Sequence, residues 1–327
     1  MLEEKLAFSF QKQKFKNTSF FIEDIFISSI FFKINDNFME NKIINGTELS
    51  KSIKNDLKIK IDDIKNKYNT VPCLAVILVG DNPASQVYVK NKEKACEKCG
   101  IKSLKYNLSE NTTEEELVNL IDKLNKNKEV NGILVQLPLP KHISDKKIIE
   151  KINPDKDVDC FHPINVGKMF IGDFDFDKSM LPCTPKGCVK LLKSVLKEDL
   201  SGKKVCIVGR SNIVGKPISM LLLNENCTVK IVHSKTKDLK SECLWADILV
   251  VAIGKPRFIK RDMIKDNAII IDVGINRVGD KLCGDVDFDD VIEKISYITP
   301  VPGGVGPMTV ACLMENVYNA FLLQNNY

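Results

Sequence analysis

Seven consecutive apolar residues, Cys73 to Val79, narrow the possible folds of this chain more than any other segment. A strand with one face in water alternates apolar and polar residues. An unbroken run needs cover on both faces, as inside a parallel sheet. The flanking segments supply that cover. Leu49 to about Lys67 has the spacing of an amphipathic helix. Pro83 to Cys99 reads as a second helix, with Asp81 or Asn82 as cap, Pro83 in the first turn and Gly100 just past the end. Lys102 to Leu108 suits a second strand, and Thr113 with Glu116 offers a capping box for the next helix. Gly132 to Gln136 is a third strand and Asp145 to Ile152 a short helix. This βαβα rhythm predicts a parallel sheet covered on both faces.

A second series begins near Pro185, which opens a helix running to about Leu196. Strands are expected at Lys203–Val208, Thr228–Val232, Ile248–Ala252 and Ala268–Val273, with a helix at Ile213–Leu223. A Gly-rich loop from Pro300 to Pro307 leads into a last helix, Met308 to about Leu323. The 327 residues suffice for two α/β domains with a cleft between them. The predicted class is therefore α/β: an N-terminal three-layer domain over 39–184, completed by the terminal helix 307–327, and a Rossmann-like domain with a parallel sheet over 185–306.

Residues 1–38 differ from the rest. They hold nine of the sixteen phenylalanines, no glycine, no proline, no arginine and five acids. The stretch Phe20 to Phe32 is too short and too charged to span a bilayer. A secretory or transit signal fits this composition poorly. Two readings stay open: an unstructured extension upstream of a start at Met39, or an organelle-targeting segment. The first places the protein in the cytoplasm, the second in a mitochondrion or plastid.

The net charge of +5 is small and its basic residues are spread along helices, so no nucleic-acid partner and no membrane partner is expected. A mild positive balance does suit an anionic small ligand. Eleven cysteines, an odd number, read as free thiols in a reducing compartment. Cys96 and Cys99 form a CxxC inside a helical run without a redox setting, so they too read as plain thiols. The three histidines have no metal-ligand spacing, and no metal is expected.

The strand Lys203–Val208 ends in Gly209-Arg210-Ser211-Asn212-Ile213-Val214-Gly215-Lys216-Pro217. A strand, a tight glycine turn and a helix N-terminus together form an anion cradle for a pyrophosphate. Gly209 would permit the turn and Gly215 the close packing of helix on sheet. Ser211 stands where the usual second glycine would be, so the motif alone is weak. Context comes from the next strand. A site for NAD usually ends that strand with an acid, whereas here it reads His233-Ser234-Lys235-Thr236. A basic, hydroxyl-bearing end together with Arg210 suits a 2′-phosphate, which predicts NADP rather than NAD.

The helix from Pro83 carries Ser85, Tyr88 and Lys92 at spacings of three and four, on one face. Gln136 ends the third strand at the same, carboxyl edge of the sheet, where open α/β sheets bind ligands. A lysine desolvated there suits proton transfer. The ordinary alternatives are a core aromatic and a solvated lysine. Asp159 could accept from a ring bearing N–H and amino donors, or be a solvated loop acid. In Thr299-Pro-Val-Pro-Gly-Gly-Val-Gly-Pro-Met308, three prolines stiffen the chain and three glycines allow close approach to a ligand.

Four segments carry a resemblance: Val79-Gly-Asp-Asn-Pro-Ala-Ser85-Gln-Val-Tyr88-Val-Lys-Asn-Lys92, Gly132-Ile-Leu-Val-Gln136-Leu-Pro-Leu-Pro140, Gly209 to Pro217, and Pro300 to Thr309. In order and spacing they resemble the bifunctional methylenetetrahydrofolate dehydrogenase/methenyltetrahydrofolate cyclohydrolase family, from about Met39 to the last helix. The resemblance implies a folate-binding catalytic first half, an NADP-binding second half and a homodimer. It implies that Lys92 is the main catalytic residue, tuned by Gln136 and oriented by Tyr88. It also implies that Asp159 holds the pterin with Ser85 close by, and that Pro302, Gly303 and Gly304 lie beside the folate. Gly209, Arg210, Ser211, Ser234 and Ile275 map to cofactor contacts. One departure is Cys160, where the family usually has glycine. Glycine there would serve a positive φ, and the expected consequence is an altered folate affinity at most.

The implied chemistry is hydride transfer from 5,10-methylenetetrahydrofolate to NADP, followed by hydrolysis of the methenyl cation to 10-formyltetrahydrofolate. The rival readings are another two-domain NADP-dependent oxidoreductase of a small substrate, and a cofactor-binding protein without catalysis.

Overall fold

The computed structural model describes residues 41–197 and 199–325. The expectations for residues 1–38 lie outside the described residues. Within 44–325 the chain forms one compact unit holding two parallel sheets.

The first sheet is built from β1 (Cys73–Val79), β2 (Lys102–Leu108) and β3 (Gly132–Val135), in the order β2-β1-β3. All seven residues of the central strand β1 are buried, which is why its sequence does not alternate. The edge strand β2 is half exposed, with Lys102, Lys105 and Asn107 facing water. Helix α1 (Gly46–Tyr68) is capped by Asn45, whose side chain accepts from the Glu48 N–H. Helix α2 (Pro83–Cys99) starts on an Asn82 cap and stops at Gly100, in the left-handed region at φ 80°. Helix α3 (Glu114–Lys126) has the expected capping box: Thr113 Oγ1 accepts from the Glu116 N–H, and Glu116 accepts from the Thr113 N–H. Short helices α4 (Asp145–Lys151) and α5 (Pro163–Ile171) follow.

The second sheet comprises β4 (Lys204–Val208), β5 (Thr228–Val232), β6 (Ile248–Val251), β7 (Ile269–Asp272) and β10 (Tyr297–Ile298), all parallel, in the order β10-β7-β6-β4-β5. Helices α6 (Cys183–Leu196), α7 (Gly215–Asn224) and α8 (Leu239–Leu244), and the hairpin β8 (Asn276–Val278) with β9 (Lys281–Cys283), complete this part. After the short α9 (Phe288–Val291), the 21-residue helix α10 (Val305–Asn325) returns to pack on α1, α6 and α2.

Two helix starts differ from expectation for one reason. A residue in the first turn has no intrahelical partner for its N–H, so proline is tolerated there. Helix α6 therefore begins at Cys183, two residues before Pro185, and α10 at Val305, two residues before Pro307. Conversely, α7 begins only at Gly215, because Ser211 Oγ accepts from the N–H groups of Val214 and Gly215 and closes the preceding turn. Helix α5 escaped the sequence reading, although His162-Pro163 before it and Gly172 after it are stop and start signals.

All eleven cysteines are free, and all but Cys283 are buried. Cys96 and Cys99 lie in the core between α2 and its neighbours, and burial pushes the Cys96 thiol up to about 12, which fits an inert thiol. Among the described residues no group of acids, cysteines and histidines could hold a metal ion. No described helix is long and apolar enough to cross a membrane.

Candidate active site

The two residues that spacing alone could not join do meet. Lys92 Nζ donates to Gln136 Oε1 at 2.9 Å, across a separation of 44 residues. The geometry has simple causes. Gln136 follows β3, and its N–H donates to the Ile77 carbonyl at 2.9 Å, which extends the ladder by one residue. Its amide Nε2 donates to the Leu137 carbonyl at 2.8 Å, so Oε1 faces α2. Lys92 lies one turn beyond Tyr88 and two beyond Ser85 on that helix. Ser85 is buried, whereas Tyr88 is 46% exposed and open to a ligand.

Asp159 joins this pair from the chain between a single 3₁₀ turn, Pro154–Lys156, and α5. Burial pushes its carboxyl up to about 6, and the nearby Lys92 ammonium pulls the other way. Cys183 Sγ approaches Asp159 Oδ1 at 4.0 Å. The segment is held by a residue that sequence reasoning missed. Asn316 on α10 is fully buried, and its Nδ2 donates to the carbonyls of Val158 (2.8 Å) and Leu181 (2.7 Å). One side chain thus fixes the two strands of chain that carry Asp159 and Cys183. A buried asparagine in an otherwise apolar helix face was the only available signal.

Cys160 adopts φ +58°, the left-handed region that a glycine would enter freely. Its Sγ donates to the Met180 carbonyl at 3.2 Å and is buried, which offsets a backbone cost of about 1–2 kcal/mol.

The dinucleotide turn lies at the carboxyl end of β4. Gly209 has φ +124°, and a Cβ there would stand 2.3 Å from the Ala252 carbonyl oxygen. A Cβ on Gly215 would stand 2.2 Å from the Gly209 carbonyl oxygen. Both glycines are therefore required by close approach of backbone to backbone. The Ser211 hydroxyl closes the turn that leads into α7, accepting from the Val214 and Gly215 N–H groups. Strand β5 pairs with β4 up to Val208 and Val232, so Arg210 and Ser234 emerge from adjacent strand ends, both exposed. The nearest acid beyond Ser234 is Asp238, whose side chain is engaged in capping α8 at the Ser241 N–H.

A pocket of about 140 Å³ contains Ile275 together with Pro302, Gly303 and Gly304. Residues expected at the cofactor and residues expected at the second ligand thus line one space. The loop is seated against α1: Thr47 donates through N–H and Oγ1 to the Gly303 carbonyl, at 2.9 and 3.2 Å. A Cβ on Gly46 would stand 1.9 Å from the Gly304 oxygen.

The fold and this arrangement define a two-domain α/β enzyme in which a Rossmann-type sheet faces a lysine–amide–carboxylate site. Known proteins narrow the class. The tetrahydrofolate dehydrogenase/cyclohydrolase catalytic domain matches residues 44–159, and the NAD(P)-binding domain of the same family matches 182–325. The bifunctional protein FolD of Acetivibrio thermocellus is 57% identical over 287 residues, covering 88% of this chain and 99% of its own. The solved FolD methylenetetrahydrofolate dehydrogenase/cyclohydrolase of Campylobacter jejuni is 53% identical with a TM-score of 0.82, covering 87% of this chain and 99% of its own. The Trypanosoma brucei FolD, solved with NADP cofactor and inhibitor, is 37% identical with a TM-score of 0.82, over 87% and 98%. This chain belongs to the tetrahydrofolate dehydrogenase/cyclohydrolase family.

Proposed function

We propose that the chain oxidises 5,10-methylenetetrahydrofolate to the 5,10-methenyl cation with NADP and hydrolyses that cation to 10-formyltetrahydrofolate, with both steps in the space bounded by Lys92, Gln136 and the 300–307 loop. The carrying observation is the 2.9 Å contact between Lys92 and Gln136. It supports this reading by joining an ammonium to an amide, with the Asp159 carboxyl near enough to feel the Lys92 charge.

The residues at the β4–α7 turn fit NADP. The cradle at Gly209 admits no side chain, and the ends of β4 and β5 present Arg210 and Ser234 without a free acid beside them. Gly209, Arg210, Ser211 and Ser234 would hold the pyrophosphate and 2′-phosphate, and Ile275 would bound the nicotinamide side. When bound, the cofactor supplies the hydride acceptor. The protein's part in the oxidation is alignment. Tyr88 lies flat against the pterin, Ser85 sits close by, Asp159 accepts from its N–H and amino groups, and Pro302, Gly303 and Gly304 close the side toward Ile275. In the hydrolysis, water adds to the methenyl carbon while Lys92, held by Gln136, moves the protons that accompany addition and ring opening.

Two assays on the purified protein test the function. NADP with methylenetetrahydrofolate is expected to yield NADPH, and supplied methenyltetrahydrofolate is expected to lose its absorbance faster than in buffer. Failure of either removes that half of the proposal. For cofactor choice, Arg210→Ala is expected to raise the KM for NADP roughly tenfold or more, the scale of a lost charge-assisted phosphate contact, and to leave that for NAD nearly unchanged. Equal effects on both would assign Arg210 to solvent.

A pH dependence follows from Asp159. Its carboxyl, pushed up to about 6, accepts through both oxygens, as a paired N–H and amino donor requires, only when ionised. The KM for the folate substrate is expected to rise as pH falls from about 7 through about 6. Asp159→Asn should raise the KM at neutral pH and flatten that dependence. A KM that stays constant across the window in the parent enzyme would contradict the assignment. The expected assembly is a homodimer, which sedimentation of the full chain checks.

A further inference from the structure

Asp285 belongs to neither set of residues discussed so far, yet it is fully buried and carries four donors. Its Oδ2 accepts from the N–H groups of Ile253 (2.7 Å) and Gly254 (2.9 Å). Its Oδ1 accepts from the Lys255 N–H (2.8 Å) and from Asn276 Nδ2 (2.9 Å). Three successive backbone N–H groups turned toward one point form a concavity that binds anions. Here the chain fills it with a carboxylate from 30 residues downstream.

A second buried carboxylate locks the first. The Asp285 N–H donates to Asp272 Oδ1 at 3.0 Å, which also accepts from the Gly274 N–H at 3.1 Å, and Val286 N–H reaches Asp272 Oδ2 at 2.9 Å. The space is tight. A Cβ on Gly274 would lie 2.2 Å from the Asp285 carboxyl carbon, and one on Gly284 would lie 1.8 Å from Asp272 Oδ2. The network therefore ties together the loop after β6 (Ala252 to Lys255), the loop after β7 (Val273 to Asn276) and the segment after the hairpin. These loops sit at the cofactor edge of the sheet. Ala252 is the residue against which Gly209 packs, and Ile275, itself 49% exposed, lies between two positions held by the carboxylates and lines the 140 Å³ pocket.

We propose that Asp285 is a positioning residue for the dehydrogenase reaction: its carboxylate, braced by Asp272, sets the two loops that hold Ile275 and Gly254 against the nicotinamide half of NADP. It also occupies the one backbone concavity beside β6 that could compete for a phosphate. The inference rests on the NADP site proposed above. Among the described residues Asp285 makes no hydrogen bond to Lys92, Gln136 or Asp159, and its link to the 300–307 loop runs through Asp272 and Thr299, so the cofactor-dependent activity should be the one that suffers.

The test is Asp285→Asn, which keeps the shape, removes the charge and turns an N–H₂ toward two N–H donors. The KM for NADP is expected to rise about tenfold or more, the scale of losing hydrogen bonds to a charged acceptor, while hydrolysis of supplied methenyltetrahydrofolate stays within about twofold. Asn276→Ala, which removes one donor of four, should raise the same KM by a smaller factor. An unchanged KM for NADP in Asp285→Asn, or parallel loss of both activities, overturns the inference. Absence of NADP-dependent turnover in the parent enzyme, measured in the same series, would instead refute the function on which it rests.

Discussion

Replacing Lys92 by methionine is expected to abolish hydrolysis of methenyltetrahydrofolate while part of the dehydrogenase activity survives. Methionine keeps the length and the apolar stem of the side chain, so it fills α2's face without the ammonium. The hydrolysis needs protons moved during water addition and ring opening, a contribution of about 10²–10⁴-fold for a positioned acid–base group. The oxidation needs two bound molecules aligned and no proton at the reacting carbon. The same change leaves Gln136 Oε1 without its 2.9 Å donor, but that oxygen is only half buried and water can serve it. The measurement is a pair of initial rates, NADPH formation and methenyl decay, on one preparation. Both activities intact would remove Lys92 from the mechanism.

Gly209→Ala should do the reverse. A residue with a Cβ at φ +124° carries about 1–3 kcal/mol of backbone strain, and the new methyl group meets the Ala252 carbonyl oxygen at 2.3 Å. Ala252 cannot swing aside, because its N–H is bonded to the Val208 carbonyl of β4 at 2.8 Å. The turn must open, and the cradle for the pyrophosphate opens with it. A loss of about 2 kcal/mol raises the KM for NADP roughly 30-fold. Methenyl hydrolysis, which draws on Lys92 and Gln136 and not on the pyrophosphate turn, is expected to persist in protein that melts cooperatively. NADP kinetics equal to the parent's would show that the turn does not carry the cofactor.

These opposite pairs of effects rest on features of unequal legibility. Local signals were readable. The β1 run, the Asn82 and Thr113 caps and Gly100 each act over a few residues, and each stands where its chemistry requires. The motif at Gly209 was readable as a glycine turn, but the bonds by which the Ser211 hydroxyl closes it at Val214 and Gly215 were not, since they depend on the turn already being formed. The pairing of Lys92 with Gln136 could be guessed from a shared sheet edge, yet only the register of β3 on β1 decides that the amide reaches the helix. Asn316 and Asp285 were invisible for a different reason. Their partners lie 158 and about 30 residues away in sequence, and a single polar residue in a helix or loop gives no sign of what it will meet. The side chains that hold the site residues in place were the least readable part of it.

The direct test of the central claim is a crystal structure of the protein with NADP and a non-reactive analogue of methylenetetrahydrofolate. The account predicts the pterin between Tyr88 and the 300–307 loop, its N–H edge on Asp159, and the nicotinamide carbon facing the one-carbon bridge at about 3–3.5 Å, with Lys92 still bonded to Gln136 beside that bridge. An analogue bound elsewhere, or a Lys92 side chain turned out of the cleft in that complex, would contradict it.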